Sequence, residues 1–212
     1  AIGSGNTNTD SANATGANSL AVGRGTDSTT TGSLSIGWNA QATGGVYSIA
    51  IGGGSTTALS ARASAANAIS LGRGTLSNSV GSIAIGWNAQ ATTSIYAVAI
   101  GSGPAPASAA NATGIRSVAI GFGTDATNSN SVAIGNNAQA TNSGSVAIGA
   151  ASTGSGISSV AILGSSSSPY SIVIGSSSSS PGFTGRNVVI GRASSTGASS
   201  NYSVLIGSSS GL

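Results

Sequence analysis

A chain of 212 residues with only nine charges, six arginines and three aspartates, and with no His, Cys, Lys, Glu or Met, lacks most of the side chains that carry chemistry. Without imidazole or thiolate there is no ordinary zinc, copper or iron site, no histidine base and no cysteine nucleophile. Asp10, Asp27 and Asp125 are so scattered that a carboxylate pair could form only across subunits. No enzyme and no cofactor or metal are therefore expected. A net charge of +3 over this length is not the clustered basic face that nucleic acid requires, and no run approaches the ~18 to 20 apolar residues of a membrane span. Neither a nucleic-acid partner nor membrane insertion is expected of this segment, and with no cysteine the fold must be held by stacking rather than disulfides.

Along the chain, short apolar runs end in glycine at Gly3, Gly23, Gly37, Gly52, Gly72, Gly86, Gly101, Gly121, Gly135, Gly149, Gly164, Gly175, Gly191 and Gly207. The first nine intervals read 20, 14, 15, 20, 14, 15, 20, 14 and 14, a unit of 14 to 15 residues nested in one of 49. The longer period returns uncommon residues as well as common ones. Trp38-Asn39-Ala40-Gln41-Ala42-Thr43 recurs as Trp87 to Thr92 and, with the tryptophan lost, as Asn136 to Thr141; Arg24-Gly25-Thr26 recurs as Arg73-Gly74-Thr75 and Phe122-Gly123-Thr124; Tyr47 and Tyr96 keep the same offset. Self-similarity of this kind marks a solenoid, here an elongated rod with a three-fold super-repeat.

Ser131-Val132-Ala133-Ile134-Gly135 alternates large and small residues, which is strand periodicity, and its glycine supplies a corner. A second short strand is expected within Asn137 to Thr141, then a polar turn at Asn142-Ser143-Gly144 and the next repeat. The fold class is thus all-β, a parallel β-roll or β-solenoid of about 14 coils. Stacked at ~4.8 Å per coil, thirteen intervals predict a rod on the order of 60 Å long. Val and Ile are expected to fill the core, leaving a smooth Ala/Ser face to pack against another copy. So thin a core gives a physical reason for chains to associate.

Every third coil carries five or six extra residues, at Ser4 to Asn18, Gly53 to Ala68 and Ser102 to Arg116, expected to project as loops along one edge; Pro104 and Pro106 suit a loop and not a central strand. Residues 1–149 form the regular part. Residues 150–212 read as a variant, Ser-rich continuation or cap, with Leu163 inserted before Gly164 and intervals of 15, 11, 16 and 16. The chain opens at Ala1-Ile2-Gly3, already inside a repeat, and is expected to be a fragment or a processed product.

Ser-Val-Ala-Ile-Gly followed by x-x-Ala-x-Ala every 14 to 15 residues resembles the head repeat of trimeric autotransporter adhesins, the YadA-like left-handed parallel β-roll, well over Ala1 to Gly149 and more weakly beyond. The resemblance implies a homotrimer at the cell surface that sticks to host matrix or to other cells. The same repeat is similar to segments of phage tail fibres and viral surface fibres. The regular insertions, the scarcity of charge, and the lack of heptads or amphipathic barrel strands depart from the bacterial pattern and favour a viral or filament reading.

The residue after each glycine defines a corner stripe: Ser4, Arg24, Trp38, Gly53, Arg73, Trp87, Ser102, Phe122, Asn136, Ala150, Ser165, Ser176, Arg192 and Ser208. Both tryptophans, Phe122 and the pair Arg24 and Arg73 fall in it, with Arg24 expected beside Trp38 and Arg73 beside Trp87 at cation–π range. This stripe either stacks sugar rings or grips a receptor, or else clamps neighbouring subunits. Asn13, Asn111 and Asn201 begin glycosylation sequons, the first two expected in equivalent insertion loops. The reading that follows is a non-enzymatic, trimeric, extracellular adhesin or fibre segment, on a cell or virion surface, that binds a host receptor or surface glycan. The alternative is a structural filament subunit that self-associates end to end through open coil edges.

Overall fold

A computed structural model describes residues 1–3, 11–182 and 185–211; Ser4 and Asp10 lie outside the described residues. The chain is an all-β parallel β-solenoid of about fourteen turns, and its helices among the described residues are two single 3-10 turns, Thr57–Leu59 and Pro106–Ser108. It divides into two compact units, Ala1–Thr113 and Gly114–Leu212.

In the first unit each coil gives one strand to each of two parallel sheets. One sheet is built of three-residue strands, Leu20–Val22, Leu34–Ile36, Ile49–Ile51, Ile69–Leu71, Ile83–Ile85 and Val98–Ile100. The other is built of two-residue strands such as Asp27–Ser28, Gln41–Ala42 and Gln90–Ala91. The second unit repeats the plan from Val118–Ile120 through Val132–Ile134, Val146–Ile148, Val160–Ile162, Ile172–Ile174 and Val188–Ile190 to Val204–Ile206. Register is strict: Val132, Ala133 and Ile134 stand beside Val146, Ala147 and Ile148.

Each position of the repeat has a mechanical reason. The serine closes the turn before its strand: Ser131 Oγ donates to Asn128 O at 2.6 Å and Ser145 Oγ to Asn142 O at 2.7 Å. The glycine turns the corner at a φ of +132° in Gly135, where an added Cβ would also lie 2.6 Å from the carbonyl oxygen of Gly149 in the next coil.

The facing of the strands is the reverse of the expectation. Ala133 and Ser131 are fully buried, whereas Val132 and Ile134 are half-buried on the outer side of their strand. The same phase holds in the first unit, where Ala21, Ser35, Ala50, Ser70, Ala84 and Ala99 point inward between flanking Leu, Ile and Val. A coil of 14 or 15 residues leaves room for only small side chains between its two sheets, which alanine and serine fill. The large side chains therefore form an apolar face on the outside, and the Ala/Ser surface is the core rather than a contact surface.

From Ile172 onward the interior changes. Val173 and Val189 are fully buried where earlier coils have Ala or Ser, and Asn187 is buried with them. Asn187 Nδ2 donates to Ser180 Oγ and to Ser200 O, at 3.1 and 3.0 Å, so the polar group is satisfied inside. Room for Val173 comes partly from Gly164, where a Cβ would stand 2.8 Å from Val173 Cγ1.

Leu163 is not an insertion. Its N–H donates to Ile148 O at 2.8 Å, the bond that Gly149 N–H makes to Ile134 O and Gly175 N–H makes to Ile162 O, so Leu163 occupies the motif-glycine position. Counted from Leu163, the intervals are 14 and 12 rather than 15 and 11. Leucine takes a φ of +59° there, in contrast to the +111° of Gly149 and +138° of Gly175, and the chain runs straight into Ser165–Ser166 without the usual corner.

Candidate functional site

The corner after the motif glycine is an amide ladder. The peptide group joining its first and second residues donates its N–H to the coil before and offers its C=O to the coil after. In the first unit Asn39 N–H bonds Arg24 O, Gly54 N–H bonds Trp38 O and Asn88 N–H bonds Arg73 O, at 2.9 to 3.0 Å. This ladder fixes the spacing of the side chains that project from it.

On it the Arg24 guanidinium lies 5.7 Å from the Trp38 ring centroid and that of Arg73 lies 5.8 Å from Trp87, the pairing expected from the sequence. Both tryptophans keep about two-fifths of their surface exposed, 43% and 41%, so each ring has a face or edge free for a ligand in the isolated chain. Each tryptophan is followed on the next coil by an insertion. The first, after Gly52, forms Thr57–Leu59 and ties back through Ser60 Oγ to Asn39 O at 2.6 Å. The second forms Pro106–Ser108, and its Ser102 Oγ accepts from the Trp87 N–H at 3.1 Å. Arginine, tryptophan and projecting loop thus recur in that order twice. Phe122 lies in the second unit at the same kind of corner, exposed, with its C=O accepting from Asn137 N–H at 2.8 Å.

The sequons are placed differently from the expectation. Asn13 and Asn111 sit on the short strands Asn13–Ala14 and Asn111–Ala112 rather than in loops, both half-buried, and Asn13 Nδ2 donates to Asp27 Oδ1 at 3.2 Å. Asn201 is exposed.

A column of aromatic residues at the opposite corner was not read from the sequence, although Tyr47 and Tyr96 were seen to share the longer period. Two residues before the start of the following three-residue strand stand Tyr47 and Tyr96 in the first unit, directly before buried Ser48 and Ala97, and Tyr170 and Tyr202 in the second, with Arg186 at the same position of the coil between them. The Arg186 guanidinium lies 5.5 Å from the Tyr170 ring and 5.8 Å from that of Tyr202, a guanidinium stacked between rings of the coils before and after. The signal was available, since the column reading applied after the glycine works equally well before the serine. Among the described residues there is no cluster of His, Cys, Asp or Glu able to hold a metal, and no helix is long and apolar enough to cross a membrane.

A parallel β-solenoid with short coils, an interior mostly of alanine and serine and a glycine corner at nearly every turn defines a repeat-built protein whose units stack on their neighbours. The sequence matches the family described as YadA head domain repeat (2 copies) at residues 10–26, 31–55, 77–103, 108–124 and 126–152, together more than half of the chain. The chain belongs to that family. No curated protein matches it. Membership brings an adhesin-like, surface-exposed role in a family that is not enzymatic and whose heads are trimeric in general.

Proposed function

We propose that this chain is a homotrimeric extracellular adhesin head that holds a host receptor or surface glycan against its Arg–Trp corner. The observation that carries the reading is the doubled arrangement of Arg24 over Trp38 and Arg73 over Trp87, each beside a projecting loop. Partly exposed indole faces held by a cation suit the apolar face of a sugar ring or an arginine-rich protein surface. The outward Val/Ile face supports assembly, because a continuous apolar sheet face gains about 25 cal/mol per Å² when a second copy covers it.

The test is to measure the mass of the purified chain in solution by light scattering, then screen glycans and matrix proteins with the wild type and with Trp38→Ala/Trp87→Ala. A three-chain species that loses ligand but keeps its mass on substitution supports the reading. A variant that loses the trimer makes the stripe an intersubunit clamp. Long unbranched fibres in place of a discrete particle would favour the filament subunit, pairing end to end.

A further inference from the structure

The short coil after Leu163 opens a notch in the second unit's corner ladder. On one side of it the amide joining Ala150 and Ala151 donates its N–H to Asn136 O at 2.8 Å; on the other the amide joining Ser176 and Ser177 accepts from Ala193 N–H at 2.9 Å through Ser176 O. Every regular coil places one peptide group between two such neighbours. Here that group is missing, because Leu163 leads directly to Gly164 and Ser165. Among the described residues the Ala150 C=O and the Ser177 N–H have no backbone partner, and the space between these corners is a cavity of about 400 Å³ lined by Ala150, Leu163, Gly164, Ser165, Ser176 and Ser177 among others.

In a ladder whose rungs are ~4.8 Å apart, the two rungs that flank a deleted one stand two intervals apart and leave room for one amide between them, with its N–H toward Ala150 O and its C=O toward Ser177 N–H. The inner side is closed by the backbone from Leu163 to Ser165, so one of the occupant's two substituents must be small, while its bulk lies outward. A peptide bond within a chain, with a branched Cα on both sides, does not meet that condition. An acetyl group on nitrogen does: its methyl meets the Leu163 side chain, which is 54% exposed, and the group carrying the nitrogen remains at the mouth among serine hydroxyls. We propose that this notch binds the acetamido group of an N-acetylated hexosamine, the amide standing in for the deleted rung and the ring hydroxyls meeting Ser165, Ser176 and Ser177. The site is separate from the Arg–Trp corner, and its success or failure is independent of that reading.

Saturation-transfer NMR and titration of the whole chain with N-acetylglucosamine, glucosamine and glucose test it. The acetyl methyl should show the largest transfer, and the two sugars without the acetyl group should bind at least tenfold more weakly. Inserting Ser-Ala between Leu163 and Gly164 restores the corner and should abolish binding. If that variant does not fold, Ser176→Trp serves instead, because the equivalent corner position already carries Trp38 and Trp87 in other coils and an indole there covers the notch. Trp38→Ala/Trp87→Ala should leave this binding unchanged. Equal binding of acetylated and unacetylated sugars, undiminished binding by a folded variant with the notch filled, or binding of N-acetylalanine methylamide in preference to the sugar would each overturn the proposal.

Discussion

The ring of Tyr47 lies across Gly32 of the preceding coil, so close that a Cβ on Gly32 would stand 2.6 Å from the tyrosine Cδ1. Tyr96 covers Gly81 in the same way, with 2.7 Å to its Cδ1. The two glycines serve twice, since Gly32 and Gly81 also hold φ values of +67° and +64°. Each tyrosine follows a glycine on the coil before it at this corner, because the ring occupies the space that a side chain there would fill.

The two burdens on Gly32 can be separated. Gly32→Ala should cost about 1 to 2 kcal/mol for the left-handed backbone alone, with an added cost for displacing the ring. Tyr47→Asn keeps a residue that tolerates its own φ of +58° and removes the ring. In a double-mutant cycle read by thermal unfolding, Gly32→Ala should therefore cost less in the Tyr47→Asn background than in the wild type. Additive costs would mean that the ring moves aside freely.

Inside the roll, volume is the constraint. Ala133→Leu adds three carbons to a fully buried position with serine and alanine opposite, and should destabilise by ~1 to 3 kcal/mol or more through overpacking. Val173→Ala, in the wider coils, should instead destabilise by leaving a void, on the order of 1 to 2 kcal/mol. Urea unfolding of the two variants distinguishes a roll of uniform bore from one that widens from the Ile172–Ile174 coil onward: the uniform bore predicts that Val173→Ala is neutral or stabilising.

The repeat, its strands and its corners were legible because alternation and glycine period are local properties. Which phase faced inward was not. Val132–Ala133–Ile134 reads as a two-faced strand from either side, and the usual rule of burying the larger residues fails where the sheets approach too closely for them. The Arg24–Trp38 and Arg73–Trp87 pairs followed from a column of equivalent positions, and Tyr170–Arg186–Tyr202 would have followed from the column at the opposite corner. Leu163 misled for a different reason: a glycine directly after it invited the motif to be set one residue late, and only the hydrogen bond from its N–H to Ile148 O fixes the phase.

With the phase corrected, charge on the outer face should strike assembly and spare the coil. Ile134 and Ile148 are adjacent, half-buried and outward. Ile134→Asp/Ile148→Asp should leave the β-sheet circular dichroism of the chain in place while the light-scattering mass falls to that of one chain, 19.7 kDa. Retention of the oligomer would place the interface elsewhere on the roll.

Arg186 should act on its own end of the second unit. Its guanidinium joins the coils of Tyr170 and Tyr202 through two cation–π contacts, each worth ~0.5 to 1 kcal/mol at an exposed site. In a solenoid such terms act between nearest neighbours, so their loss does not spread evenly along the stack. Arg186→Ala should therefore speed amide exchange in Val188–Ile190 and Val204–Ile206 by about 5- to 30-fold, the equivalent of 1 to 2 kcal/mol, while Val146–Ile148 exchanges as before. Uniform acceleration over all three strands would show that the unit opens as one body, and no acceleration would show that the stacked rings hold these coils without the cation.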